Sequence, residues 1–158
     1  MAQSGTIIGD GTEEQIAAVG DYFEQLGVAF QIVDDVVNLT GFDDDSWKTC
    51  GEDIMEGKVT YPVALAFKYL DRPVREEIWN ILSSKPQEKE QVKTVIDHIR
   101  STGALEESRQ IAIGMVENAW QEVVKVLPET FSKVIMRGSS LYILDNLKAS
   151  KPIPDSYF

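Results

Sequence analysis

The sequence has one cysteine, one histidine, few basic residues and no long apolar run. With Cys50 alone, no intramolecular disulfide framework can form. His98 alone cannot build a histidine-based metal centre or nucleophile site. A membrane-spanning helix needs roughly 18–20 consecutive apolar residues, and no stretch approaches that. Lys and Arg number 15 against 26 Asp and Glu, giving a formal net charge of −11. Such a balance argues against a general nucleic-acid binder, which needs a basic patch to neutralise phosphates. It suits a protein that collects divalent cations, although acidity alone is mostly a solubility feature. No internal repeat or low-complexity segment is present. The amino terminus, MAQSGTIIGDG, lacks a basic region followed by an apolar core, so no secretory signal is expected and the default location is cytoplasmic.

What remains is an ordinary globular composition: 158 residues, 43% hydrophobic and 26% charged, enough for one domain with a sizeable core. Almost every periodic stretch has helical spacing, so the expected fold is all-α, a bundle of about six helices. From Thr12, the apolar positions Ile16, Val19, Phe23, Leu26, Phe30, Val33 and Val37 alternate in steps of three and four. They predict one long helix, starting at Thr12 and stopping within 38–41. Residues 41–59 break the period and read as a loop, and a structureless loop of that length tends to be functional. Helical character returns near 60–70 with Pro62 in the first turn, then over 73–83. It continues over 88–103 with Gly103 as the stop, over 104–127 before Pro128, and over 129–148.

The stretch FQIVDDVVN, residues 30–38, sets two adjacent carboxylates near the end of the first long helix. Projected at ~100° per residue, Gln31, Asp34 and Asn38 share a strip, with Asp35 just beyond it and Gly20 and Gly27 on the same line. The two glycines predict an open channel beside the polar cluster. A pair of carboxylates in a last helical turn is opposed by the helix dipole and by mutual repulsion. Either the pair simply flanks a surface helix end, or a cation compensates it. In the following loop, Lys48 and Lys58 lie either side of Glu52, Asp53 and Glu56. Carboxylates that hold Mg²⁺ with ammonium groups around them suit a diphosphate; a solvated, charge-mixed loop has the same composition.

LGVAFQIVDDVVN followed by KTCGEDIMEGKVTYPV resembles the trans-isoprenyl diphosphate synthases, or polyprenyl synthetases. That family carries G-x-x-F-Q-x-x-D-D-x-x-D, its second aspartate-rich motif, and then K-x-x-G-x-D-x-x-E-G-K-x-T-x-P. Gly27, Phe30, Gln31, Asp34 and Asp35 match the first; Lys48, Gly51, Asp53, Glu56, Gly57, Lys58, Thr60 and Pro62 match the second. STGALEESRQIA and VLP also resemble the family's carboxy-terminal helices.

The resemblance implies an all-α bundle like the carboxy-terminal half of the isoprenoid synthase fold. It covers 1–147 as a partial isoprenoid synthase helical domain, with 148–158 a Pro-interrupted tail. It implies Mg²⁺-dependent condensation of isopentenyl diphosphate with an allylic diphosphate. In that scheme Asp34, Asp35, Lys48 and Lys58 are catalytic. Asp34, Asp35 and Asn38 take the metal positions, Lys48, Lys58 and Gln31 bind diphosphate, and Asp53 supports a metal-bound water or a lysine. Two departures follow. Asn38 stands where the family has its final aspartate, keeping an oxygen ligand but losing a charge. No counterpart of the first aspartate-rich motif or its arginine pair is found, since DDDS at 43–46 lies after the second motif. The chain alone is therefore expected not to catalyse prenyl transfer. It is expected to form a homo-oligomer or a complex with the missing amino-terminal half, because half a bundle exposes apolar surface. The alternative is a non-catalytic regulatory subunit that binds a catalytic prenyl synthase. His98 reads as a solvated side chain off the stripe of Val92, Val95, Ile96 and Ile99. Trp47, Trp79 and Trp120 read as packing, Cys50 as incidental, and Tyr61 as either packing or lining.

Overall fold

The helical spacing is realised as eight α-helices among the described residues of the computed structural model, which are 2–40 and 50–148, with side chains through 142. They are α1 (Ala2–Ile8), α2 (Glu13–Leu39), α3 (Glu52–Met55), α4 (Tyr61–Ala66), α5 (Arg72–Ser83), α6 (Lys89–Ser101), α7 (Ala104–Val126) and α8 (Phe131–Lys148). Two of these lie outside the sequence-based expectation. α1 buries no residue, so no apolar stripe announced it. α3 is one turn inside the segment read as a loop.

Local chemistry explains the boundaries. Thr12 and Gln15 form a reciprocal cap on α2: Gln15 N–H donates to Thr12 Oγ1 at 3.3 Å and Thr12 N–H donates to Gln15 Oε1 at 3.1 Å. Asp71 caps α5 by accepting from Val74 N–H at 3.2 Å, and Pro73 stands in the first turn where its missing N–H costs nothing. Pro62 does the same in α4.

The chain falls into two compact units. The first comprises residues 1–31 and 111–146, and its core gathers Val19, Tyr22, Leu26 and Ala29 of α2 with Val116, Ala119, Trp120 and Val123 of α7. The Tyr22 and Trp120 rings lie 5.4 Å apart, and the Arg137 guanidinium sits 5.2 Å over Trp120. Burial pushes the Tyr22 hydroxyl above its usual pKa. Lys133 of α8 is buried, and its ammonium donates to Leu127 O at 2.9 Å, Val124 O at 3.4 Å and Glu129 Oε1 at 2.7 Å. It thereby satisfies carbonyls at the end of α7.

The second unit holds the described residues between 32 and 110. Here α6 packs on α3, α4 and α5, and Val92, Val95, Ile96 and Ile99, the stripe read from sequence, are all fully buried. Ile54, Val63, Ile78 and Leu82 complete that core.

The stripe read on α2 is covered at Val19, Leu26 and Val33 but not along its whole width. Phe23, Phe30 and Val37 are exposed by 41%, 55% and 40%, while Tyr22, Ala29, Ile32 and Val36 are buried. The helix is apolar over a wide arc, and the covered side is centred about one residue earlier than the Phe23–Phe30–Val37 line. A spacing of seven identifies a face but not what covers it. α8 is a stronger case. Lys133 and Ser140 are buried, whereas Phe131, Val134, Ile135 and Tyr142 are more than half exposed.

Candidate active site

The carboxyl end of α2 is where the motif residues meet. α2 is continuous through Gln31, Asp34, Asp35 and Asn38, so the helical projection holds, but the two aspartates differ. Asp34 is exposed. Asp35 is buried to 8% exposure, and its Oδ2 accepts the Tyr61 backbone N–H at 3.3 Å, the first amide of α4. The compensation that adjacent carboxylates need is thus supplied to Asp35, at least at one oxygen, by a helix-starting N–H.

Asn38 is tied to the start of α3. Its Oδ1 accepts from Gly51 N–H at 3.2 Å and from Asp53 N–H at 3.4 Å, and its own carbonyl accepts Gly51 N–H at 2.8 Å. Arg100 of α6 donates to Leu39 O at 3.0 Å, placing a positive charge at the negative end of α2. The segment after α3 folds back through glycine. Gly57 has φ of +75°, and a Cβ there would stand 2.6 Å from the Leu82 carbonyl oxygen, so only glycine fits.

This geometry orients Lys58. Its ammonium lies 3.0 Å from Asp53 Oδ1 and 2.6 Å from Glu56 Oε2. The Glu56 and Asp53 carboxylates raise the Lys58 pKa well above the ordinary lysine value, and Lys58 lowers that of Glu56. Lys58 therefore stays charged at any physiological pH. Thr60 Oγ1 is buried with no hydrogen-bond partner among the described residues, one position before the amide that Asp35 receives.

The sequence-derived candidates thus divide. Asp35, Asn38, Asp53 and Lys58 are brought together through three hydrogen bonds from backbone amides and one ion pair. Asp34 and Gln31 are exposed on α2. Lys48, Trp47 and the aspartates at 43–45 lie outside the described residues. Gly27 has open space where a side chain would be, whereas the space beside Gly20 is filled by Gln3. Tyr61 is 38% exposed and contributes its amide. His98 is partly exposed, its Nε2 3.7 Å from Glu77. Sequence reasoning placed Glu56 among the loop carboxylates and in the second motif but did not pair it with Lys58, although its place two residues before Lys58 was the available signal. Nothing in sequence signals the tethers, which end on backbone amides.

Among the described residues no three His, Cys, Asp or Glu side chains converge to hold a metal ion. The donor set is one exposed carboxylate beside a buried one. It fits a hard cation that takes one or two carboxylates and completes its shell with water and phosphate oxygens.

The profile of the family described as polyprenyl synthetase matches residues 1–99. The chain is 31% identical over 143 residues to a short chain isoprenyl diphosphate synthase of Methanothermobacter thermautotrophicus, covering 90% of this chain and 43% of that protein. It is 35% identical over 112 residues to geranylgeranyl pyrophosphate synthase D of Phomopsis amygdali, covering 70% and 26%. Among solved structures, geranylgeranyl pyrophosphate synthetase from Pyrococcus horikoshii superposes with a TM-score of 0.79 at 29% identity, over 91% of this chain and 43% of that one. The chain spans less than half the length of these relatives.

Proposed function

Because the chain belongs to the polyprenyl synthetase family, we propose that it supplies the second aspartate-rich part of a trans-isoprenyl diphosphate synthase site. The substrates of this reading are an allylic diphosphate and isopentenyl diphosphate. The reaction class is prenyl transfer with loss of pyrophosphate. The observation that carries it is the junction at the end of α2. There Asp35 and Asn38 hold the segment bearing Asp53 and Lys58, so that carboxylates and a charged ammonium share one region.

In this reading Asp34 and Asp35 would hold Mg²⁺, with Asn38 at the third position of the motif. Bound there, Mg²⁺ would neutralise diphosphate charge as the allylic carbon–oxygen bond breaks. Lys58, Lys48 and Gln31 would bind the diphosphate oxygens, and the Asp53 and Glu56 carboxylates keep the Lys58 ammonium charged and aimed. Diphosphate binding would then exchange part of that ion pairing for phosphate contacts.

With one aspartate-rich motif, this chain alone is expected to release no pyrophosphate from isopentenyl and allylic diphosphates in Mg²⁺. Adding the amino-terminal half of a synthase, which carries the other motif, should give release, and Asp34→Ala should abolish it. Synthase-like turnover by the chain alone would overturn the reading of an incomplete site. A second reading, a non-catalytic subunit that tunes a catalytic prenyl synthase, draws on the exposed apolar row of α8. Tight binding to a complete synthase without Mg²⁺-dependent diphosphate binding would select it.

A further inference from the structure

Asn38 is engaged on both of its hydrogen-bonding faces of oxygen. A carboxamide oxygen offers two lone pairs, and the amide nitrogen only donates. The groups facing the side chain are backbone N–H donors, Gly51 at 3.2 Å and Asp53 at 3.4 Å, so the oxygen and not the nitrogen must point at them. Coordination of a cation by Asn38 would therefore compete with both contacts. A carboxylate, with about four lone-pair sites, could serve both purposes at once.

We propose that Asn38 is a positioning residue and not a cation ligand: its oxygen holds the Gly51–Asp53 segment, and through it the Asp53–Lys58 pair, at the carboxyl end of α2. The chain of contacts is short. Asn38 fixes the Asp53 amide, Asp53 Oδ1 takes the Lys58 ammonium at 3.0 Å, and the Asp53 carbonyl accepts the Lys58 amide at 2.8 Å. Both ends of Lys58 are thus referenced to one residue that Asn38 holds. The inference rests on the proposed function for what Lys58 is aimed at; the hold itself does not.

The test compares the full chain with Asn38→Ala and Asn38→Asp at pH 7. It uses amide hydrogen exchange by NMR, titration with Mg²⁺ alone, and titration with inorganic pyrophosphate in Mg²⁺. Asn38→Ala is expected to speed exchange at Asp53 by about tenfold, as loss of a capping oxygen would, and to change Gly51 less, because the Asn38 main-chain carbonyl still accepts the Gly51 N–H at 2.8 Å. Mg²⁺ affinity stays within about twofold, while pyrophosphate binding weakens several-fold because Lys58 is no longer held. Asn38→Asp, which keeps two acceptor sites, restores both the slow exchange and the pyrophosphate binding. Weaker Mg²⁺ binding in Asn38→Ala with unchanged exchange at Asp53 would make Asn38 a ligand and overturn the proposal. If Asn38→Ala does not fold, retention of the Gly51 and Asp53 amide signals in Asn38→Asp supports the hold and their loss refutes it. If the unaltered chain binds neither probe, the proposed function fails, and the exchange rates alone decide the role of Asn38.

Discussion

Asp34 and Asp35 are chain neighbours with different surroundings, and their substitution should separate two kinds of loss. Asp35→Ala removes the acceptor of the Tyr61 N–H, and leaving such a donor unmet costs about 1–3 kcal/mol. Asp34→Ala touches an exposed side chain near the negative end of a helix, so stability should stay within about 0.5 kcal/mol or rise. Urea unfolding of the two variants checks this order, and the reverse order would contradict it. The Lys58–Glu56 pair gives a pH signature. Glu56 titrates below the ordinary carboxylate value because Lys58 bonds its charged form. Its contribution is therefore present above the unfolded-state pKa and is lost as pH falls through the folded one. In Lys58→Met, carboxyl-carbon NMR should show Glu56 titrating higher; an unmoved midpoint would mean that the pair does not form in solution. Helical spacing alone put Gln31, Asp34 and Asn38 on one strip. It could not show that Asp35 and Asn38 receive backbone amides 13 to 26 residues onward, because a backbone donor leaves no mark in the side-chain pattern.

α7 and α8 are joined by a turn whose polar atoms converge on one ammonium. Lys133 is buried and serves two carbonyls and Glu129. Lys133→Met keeps the length of the side chain but leaves those carbonyls unmet, and it should cost about 1–3 kcal/mol in thermal or urea unfolding. A neutral result would mean that water replaces the ammonium without loss. The elements most legible in sequence were those with one covered face. In α6, Val92, Val95, Ile96 and Ile99 all became core. α1 was not legible because it buries nothing. α8 was legible as a helix but not in its orientation: hydropathy favours Phe131 and Ile135 inside, whereas the structure buries Lys133 and Ser140. Periodicity reports that residues share a face, and a buried lysine with three acceptors can outweigh it.

At the scale of the molecule, the exposed row of Phe131, Val134, Ile135 and Tyr142 is more apolar surface than one helix ordinarily leaves to water. Sedimentation should find the chain self-associated or bound to a synthase's amino-terminal half, and paired Phe131→Asp and Ile135→Asp substitutions should reduce either association without unfolding it. A monomer that binds no such half would remove the reason offered for that row. The all-α class and the family were legible because two motifs at fixed spacing carry them, and the profile match over 1–99 agrees. The two-unit organisation was not, since its divisions fall inside continuous helices, between Gln31 and Ile32 and between Gln110 and Ile111. The central claim is that the end of α2 and the Lys58 segment form a magnesium–diphosphate site. Calorimetric titration of the chain with inorganic pyrophosphate tests it most directly. Binding should require Mg²⁺, should be lost in Asp34→Ala and should weaken about tenfold or more in Lys58→Met. Binding that is indifferent to Mg²⁺ and to both substitutions, or no binding at all, would contradict the claim.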